Sequence, residues 1–301
     1  MSMIEINNVT KDYGQGRGIF RVNLSVRQGE AFGFVGTNGA GKTTTIRHLM
    51  GFLKPQSGTA QIKGLDCWED SAEIKKRVGY IPGEIAFPDA VSGMEFLKRQ
   101  AALLGLKDLS YGETIIHRLQ LDPSANLKRM SKGMKQKTAI VAALMSDPEI
   151  LILDEPTTGL DPLMRAKFVE IIKEERKKGK TIFMSSHVFE EVEDTCDKVA
   201  MIKDGKIIAI TATDVIKSGK TKEYKIEFRS REHYLGFLAE GFEIIHRKDS
   251  QNQAIIKIPN QAINDLTKSL SKYDLKFISE RKATLAQYFK NLYVGEESRD
   301  A

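Results

Sequence analysis

The stretch "GTNGAGKTT" at positions 36–44 spaces three glycines and a lysine in a way that suits phosphate. Gly36, Gly39 and Gly41 let the backbone double back, so that N–H groups converge on an anion. Thr37, Asn38 and Ala40 fill the loop between them. Lys42 reaches the β- and γ-phosphates of a nucleotide, Thr43 offers a hydroxyl to Mg²⁺, and Thr44 closes the pattern. The loop follows an apolar strand-like run, "EAFGFVG", and opens a helical one, so a helix N-terminus adds its positive end. A chance Gly-rich turn would not need both neighbours.

"ILILDEP" (150–156) supplies the acidic half of the chemistry. A buried strand that ends in Asp154 puts a carboxylate at the carboxyl edge of a sheet, where α/β folds bind ligands. Asp154 suits Mg²⁺, and Glu155 suits a base that aims a water at a γ-phosphorus. Alone, "DE" after a strand is an ordinary turn; its weight comes from the first motif. His187 ends another such run, "FMSSH", from where it reaches a γ-phosphate, although a lone histidine is more often structural.

A second anion site stands at "MSKGMKQ" (130–136). Ser131 caps the helix that follows, and the Gly133 amide adds a donor. One nucleotide's phosphates are already wrapped by the Lys42 loop. The economical reading is that Ser131 and Gly133 bind the nucleotide held by another copy of the chain.

These residues need a scaffold. Up to about residue 213, apolar strand runs alternate with helical patterns, which predicts an α/β core around a mostly parallel sheet. From about 86 to 147 the pattern is almost wholly helical and reads as an inserted subdomain. The helical pattern "VFEEVEDTCDKV" follows His187, and "TDVIKSGK" reads as a link. Residues 221–301 read as β-α-β-β-α-β, the ferredoxin-like order, followed by a helix with Leu285, Phe289 and Leu292 on one stripe.

Composition adds bounds. The chain has 301 residues, enough for one large domain and a small one. Its longest apolar run, "AIVAALM", is far short of a bilayer span, and its start reads as a strand, not a leader. A net charge of +6 is spread in short clusters and is read as solvated helix faces. Cys67 and Cys196 have no metal-like spacing and fit buried positions in a reducing compartment.

Over residues 1–213 the chain resembles the nucleotide-binding subunit of an ATP-binding cassette (ABC) transporter. "GTNGAGKT" resembles Walker A, with Thr37 where proline is usual, and "ILILDEP" resembles Walker B, with Glu155 as the catalytic glutamate. "TTGLDP" resembles the D-loop, with Asp161 its aspartate, and His187 matches the switch histidine. Tyr13 in "KDYGQG" matches the aromatic that stacks on adenine, against the plain alternative of packing. "MSKGMKQ" resembles the LSGGQ signature, departing at Lys132 and Met134 but keeping Ser131 and Gly133.

After "YIP", where glutamine is expected, the chain has Gly83 and then Glu84. Glu84 stands as a candidate Mg²⁺ ligand in its place, against the equal alternative of a loop acid. The "YIPGE" and "SKGMKQ" variants resemble the bacterial subfamily serving ABC-2-type exporters, and the C-terminal unit resembles an accessory domain found there. The resemblance implies ATP and Mg²⁺, a head-to-tail homodimer, a separate integral membrane permease, and a place on the cytoplasmic face of the membrane. Nucleic acid is not expected as a partner. The main rival is an ABC ATPase acting on ribosomes or nucleic acid. Such proteins usually carry two cassettes in one chain or a long coiled coil, and neither is seen in this sequence.

Overall fold

Alternation of apolar and polar residues at the start of the chain produces a hairpin. In the computed structural model, which describes residues 2–88, 92–217, 221–281 and 284–289, β1 (Ser2–Asp12) pairs antiparallel with β2 (Gly18–Arg27). Ile4, Ile6, Val9, Val22 and Val26 turn to the buried face, as a sheet with one wet side requires. β3 (Ala31–Val35) is buried along its whole length. Such a run fits only a strand covered on both faces. α1 (Lys42–Leu49) follows it. β4 (Ser57–Ile62) and β5 (Leu65–Asp66) complete a four-stranded antiparallel sheet in the order β2-β1-β4-β5. The sequence reading had only the first of these strands. β4 begins with three exposed residues, so its hydrophobic pattern is weak.

After α2 (Ser71–Lys75) and β6 (Val78–Ile81) the chain turns helical. α3 (Gly93–Leu103), α4 (Ser110–Arg118) and α5 (Lys132–Leu144) pack together, and α5 also rests on β6. The α/β pattern then resumes with β7 (Ile150–Asp154), α6 (Pro162–Lys177), β8 (Thr181–Ser186), α7 (Phe189–Thr195), β9 (Lys198–Lys203) and β10 (Lys206–Ala212). The helical reading after His187 therefore ran too far. Cys196 is extended, and the chain enters β9 two residues later.

The central sheet has six strands in the order β10-β9-β3-β8-β7-β6. All neighbours are parallel except β10 against β9. Phe183 of β8 lies against Phe32 and Phe34 of β3, with ring centroids 5.8 and 5.4 Å apart. The strands that carry the phosphate loop, Asp154 and His187 are thus β3, β7 and β8, side by side. Val35 pairs with Ser186 and Asp154 with Ser185, so their carboxyl ends are level.

The chain divides into two units, Met1–Ala212 and Thr213–Ala301. The second opens with α8 (Thr213–Lys217), where a link was expected; Ile216 is buried there. β11 (Thr221–Phe228), α9 (Arg231–Leu238), β12 (Glu243–Lys248), β13 (Gln253–Pro259), α10 (Ile263–Leu270) and β14 (Leu275–Arg281) follow. The sheet order β12-β13-β11-β14, antiparallel throughout, is that of a split β-α-β fold. Ile226, Phe228, Tyr234, Phe237 and Ile256 form its core. Residues 285–289 are helical, with Leu285 and Phe289 buried; Leu292 lies outside the described residues. Among the described residues no helix is long and apolar enough to cross a membrane. Both cysteines are buried, and burial pushes each thiol up to about 12.

Candidate functional site

The loop between β3 and α1 requires its glycines. A Cβ on Gly36 would stand 2.4 Å from the Ile202 carbonyl oxygen, and Gly41 takes φ = 111° with Ile19 Cγ2 2.7 Å from where a Cβ would lie. Gly39 is also left-handed, at φ = 83°. Such conformations disfavour other residues. Thr37, Asn38 and Gly39 form an exposed crown, while Ala40 is buried and its N–H donates to the Thr37 carbonyl at 3.1 Å. No side chain caps α1. Its first-turn amides therefore remain available to an anion.

Lys42 is buried below this crown. Its Nζ donates to the carbonyl oxygens of Gly36 (2.6 Å) and Thr37 (3.1 Å) and lies 3.2 Å from Glu155 Oε1. A cleft of about 290 Å³ opens above it, lined by the loop, Thr43, Thr44, Glu155 and Tyr13. Tyr13 sits on the β1–β2 turn, half exposed, with Lys11 Nζ 5.8 Å from its ring centroid. A flat ring at the edge of a phosphate-binding cleft is placed to stack on a base.

Asp154 ends β7, next to Glu155, and is fully buried. Ser185 Oγ of β8 donates to its Oδ1 at 2.6 Å. Its Oδ2 is buried without a hydrogen-bond partner among the described residues. Burial raises the carboxyl pKa above its ordinary value; the Ser185 hydrogen bond and the nearby Thr43 hydroxyl oppose that, the Glu155 charge adds to it, and the Lys42 charge reduces it. A carboxyl whose pKa is raised by folding stabilises the fold at low pH, and that contribution is lost as pH rises through the ordinary value towards the raised one. At pH values above the ordinary carboxyl range the raised pKa therefore costs the fold stability. Asp154→Asn is accordingly expected to raise the Tm of the nucleotide-free chain at pH 7 while removing hydrolysis; an unchanged or lowered Tm by calorimetry would refute the electrostatic account.

Glu155 follows immediately, at φ = 49°. That conformation costs a non-glycine residue on the order of 1 kcal/mol or more. Two bonds from its N–H, to Ser185 Oγ (3.0 Å) and the Ser185 carbonyl (3.2 Å), hold it. The turn aims the Glu155 side chain back into the cleft. His187 Nδ1 donates to Glu155 Oε2 at 2.5 Å, a carboxylate being acceptor only. The imidazole itself is half exposed. The structure thus brings Lys42, Thr43, Asp154, Glu155 and His187 to one edge of the sheet.

Other candidates lie elsewhere. Gly83, not Glu84, is the loop residue set against Asp154: a Cβ there would fall 2.8 Å from Asp154 Oδ2. Glu84 is exposed. Ser131 is exposed at the N-terminus of α5, where its Oγ accepts from the Met134 N–H at 3.2 Å. Asp161 is exposed too and caps α6 through the Met164 N–H at 2.9 Å. Neither lines the cleft above Lys42. Gly133 lies against the turn before Asp161, since a Cβ on it would stand 2.8 Å from the Gly159 carbonyl oxygen.

Sequence reasoning missed the polar residues that tie these pieces together. Ser185 bonds both Asp154 and Glu155. Buried Gln136 Nε2 donates to the Pro156 carbonyl at 2.7 Å, tying α5 to the turn after β7. Thr157, Ser186 and Glu191 form a further buried group. The available signal was a polar side chain inside an apolar run, as in "FMSSH", which pointed to no partner.

Comparison with known proteins gives one result from three directions. The family model described as "ABC transporter" matches residues 19–158. The chain is 34% identical over 263 residues, 85% of each chain, to the bacitracin transport ATP-binding protein BcrA of Bacillus licheniformis. It is 36% identical over 222 residues to the linearmycin resistance ATP-binding protein LnrL of Bacillus subtilis, covering 71% of this chain and 70% of that one. A solved structure described as an ATP-binding subunit of an ABC transporter superposes with a TM-score of 0.65 at 30% identity, covering 72% of this chain and 92% of that chain.

Proposed function

This chain belongs to the ABC transporter family as an ATP-binding, ATP-hydrolysing subunit, and from that premise we propose how its residues act and what they drive. The reading is carried by the level ends of β3, β7 and β8, which bring Lys42, Asp154, Glu155 and His187 to one edge of the sheet, with Lys42 and His187 both on Glu155. The Gly36–Gly41 amides and Lys42 bind the phosphates of ATP, and Tyr13 stacks on the adenine. The unpaired buried Oδ2 of Asp154 and the Thr43 hydroxyl fit Mg²⁺. When bound, Mg²⁺ supplies charge neutralisation at the phosphate oxygens. Glu155 Oε2 accepts the proton of the attacking water, and His187, held against Glu155, steadies the γ-phosphate.

Ser131, Gly133 and Asp161 stand outside that cleft, on exposed helix starts. They complete the site of a second copy in a head-to-tail homodimer, with each ATP held between Lys42 of one protomer and Ser131 of the other. ATP favours the closed pair, and hydrolysis removes the bridging phosphate and lets it open. The chain sits at the cytoplasmic face of a membrane on a separate ABC-2-type permease and drives export. Bacitracin transport and linearmycin resistance, in the names of two relatives, support that direction.

The test is isolation of the tagged chain from detergent-solubilised membranes. An ABC-2-type integral membrane protein, identified by mass spectrometry in stoichiometric amount, is expected. Recovery of ribosomes or nucleic acid instead, released by salt, overturns the export reading.

A further inference from the structure

Behind the Glu155–His187 pair lies a buried carboxylate that the reaction above does not use. Glu191, on α7, is 4% exposed. Thr157 Oγ1 lies 2.7 Å from its Oε1 and 2.9 Å from its Oε2, donating to the carboxylate. Ser186 Oγ donates to Oε2 at 3.1 Å, and Arg165 Nε of α6 lies 3.2 Å from Oε1. The Ser186 hydroxyl also accepts from the Val188 N–H at 2.9 Å, across His187. Burying a carboxylate is costly, and here burial raises the Glu191 pKa while the two hydroxyls and Arg165 oppose the rise.

The geometry is specific. Thr157 stands two residues beyond Glu155, and Ser186 one residue before His187. One carboxylate therefore spans the two turns whose side chains meet at 2.5 Å. Thr157 also begins the turn that ends at Asp161, its carbonyl accepting from the Leu160 N–H at 3.0 Å.

We propose that Glu191 is a positioning residue for ATP hydrolysis: by clamping Thr157 to Ser186 it sets the register of Glu155 against His187. It joins the turn that carries Asp161 to the turn that carries His187. The proposal rests on the reading that Glu155 and His187 act together on the γ-phosphate.

The experiment compares Glu191→Ala, Glu191→Gln and Thr157→Val in the full chain. Glu191→Ala is expected to lower kcat roughly tenfold or more with KM for ATP little changed. Glu191→Gln, which keeps shape and an acceptor, recovers most of the loss. Thr157→Val added to Glu191→Ala lowers kcat no further, since both remove the same bond. Independently of turnover, the imidazole ¹⁵N resonances of His187, assigned by their loss in His187→Ala, shift in Glu191→Ala and return in Glu191→Gln. Unmoved His187 resonances in folded Glu191→Ala overturn the clamp. Shifted resonances with kcat within about twofold of wild type overturn instead the pairing of Glu155 with His187 in catalysis. If Glu191→Ala does not fold, the same readings on Thr157→Val and Ser186→Ala decide.

Discussion

Glu155→Gln is expected to bind ATP as the wild type does and to hydrolyse it about 10²–10⁴-fold more slowly. The amide has the size of the carboxylate, and the backbone bonds to Ser185 that hold residue 155 at its left-handed φ do not involve the side chain. The turn therefore survives. What is lost is the acceptor for the water's proton, at the atom where His187 Nδ1 now donates. With the γ-phosphate retained, the ATP-bound pair of protomers has no route to opening, and a dimer should accumulate on addition of ATP. Light scattering with and without nucleotide measures it. Wild-type turnover in Glu155→Gln would remove Glu155 from the base role.

Ser131→Arg should leave each protomer able to bind ATP, abolish the ATP-dependent dimer, and cut hydrolysis by about 10²-fold or more, as loss of a transition-state donor does. Ser131 is exposed and does not line its own chain's cleft, so the substitution is expected to leave ATP binding at the Lys42 loop of the same protomer intact. Its local duty is the cap on α5, whose loss costs about 1 kcal/mol. α5 tolerates that, because Thr138, Ala139, Ile140, Val141 and Leu144 are buried and Gln136 anchors it to Pro156. Ser131→Ala separates the two effects: it loses the same cap without adding bulk. An ATP-dependent dimer of undiminished amount in Ser131→Arg would refute the shared site.

The motif residues were legible because their chemistry is local. The Gly36–Lys42 spacing sets a loop conformation that its own sterics enforce, as the left-handed φ of Gly39 and Gly41 shows. Ser131 was legible as a helix start for the same reason: it caps the amide three residues on. The fully buried strands β3, β7 and β8 showed as short, mostly apolar runs. The weak strands of the antiparallel sheet, with polar and exposed starts, did not.

By itself, then, the sequence determined a phosphate-binding loop, two carboxylates at a strand end, a histidine at another, and a second helix capped by Ser131. Only the tertiary structure decided that β8 lies between β3 and β7, bringing His187 within 2.5 Å of Glu155 and Lys42 within 3.2 Å of it. Only it showed that Gly83 rather than Glu84 faces Asp154, and that Glu191 joins Thr157 to Ser186. The reason is range. A loop's backbone answers to its own few residues, whereas strand order and the partners of buried polar groups answer to packing between segments tens of residues apart, which spacing along the chain does not encode.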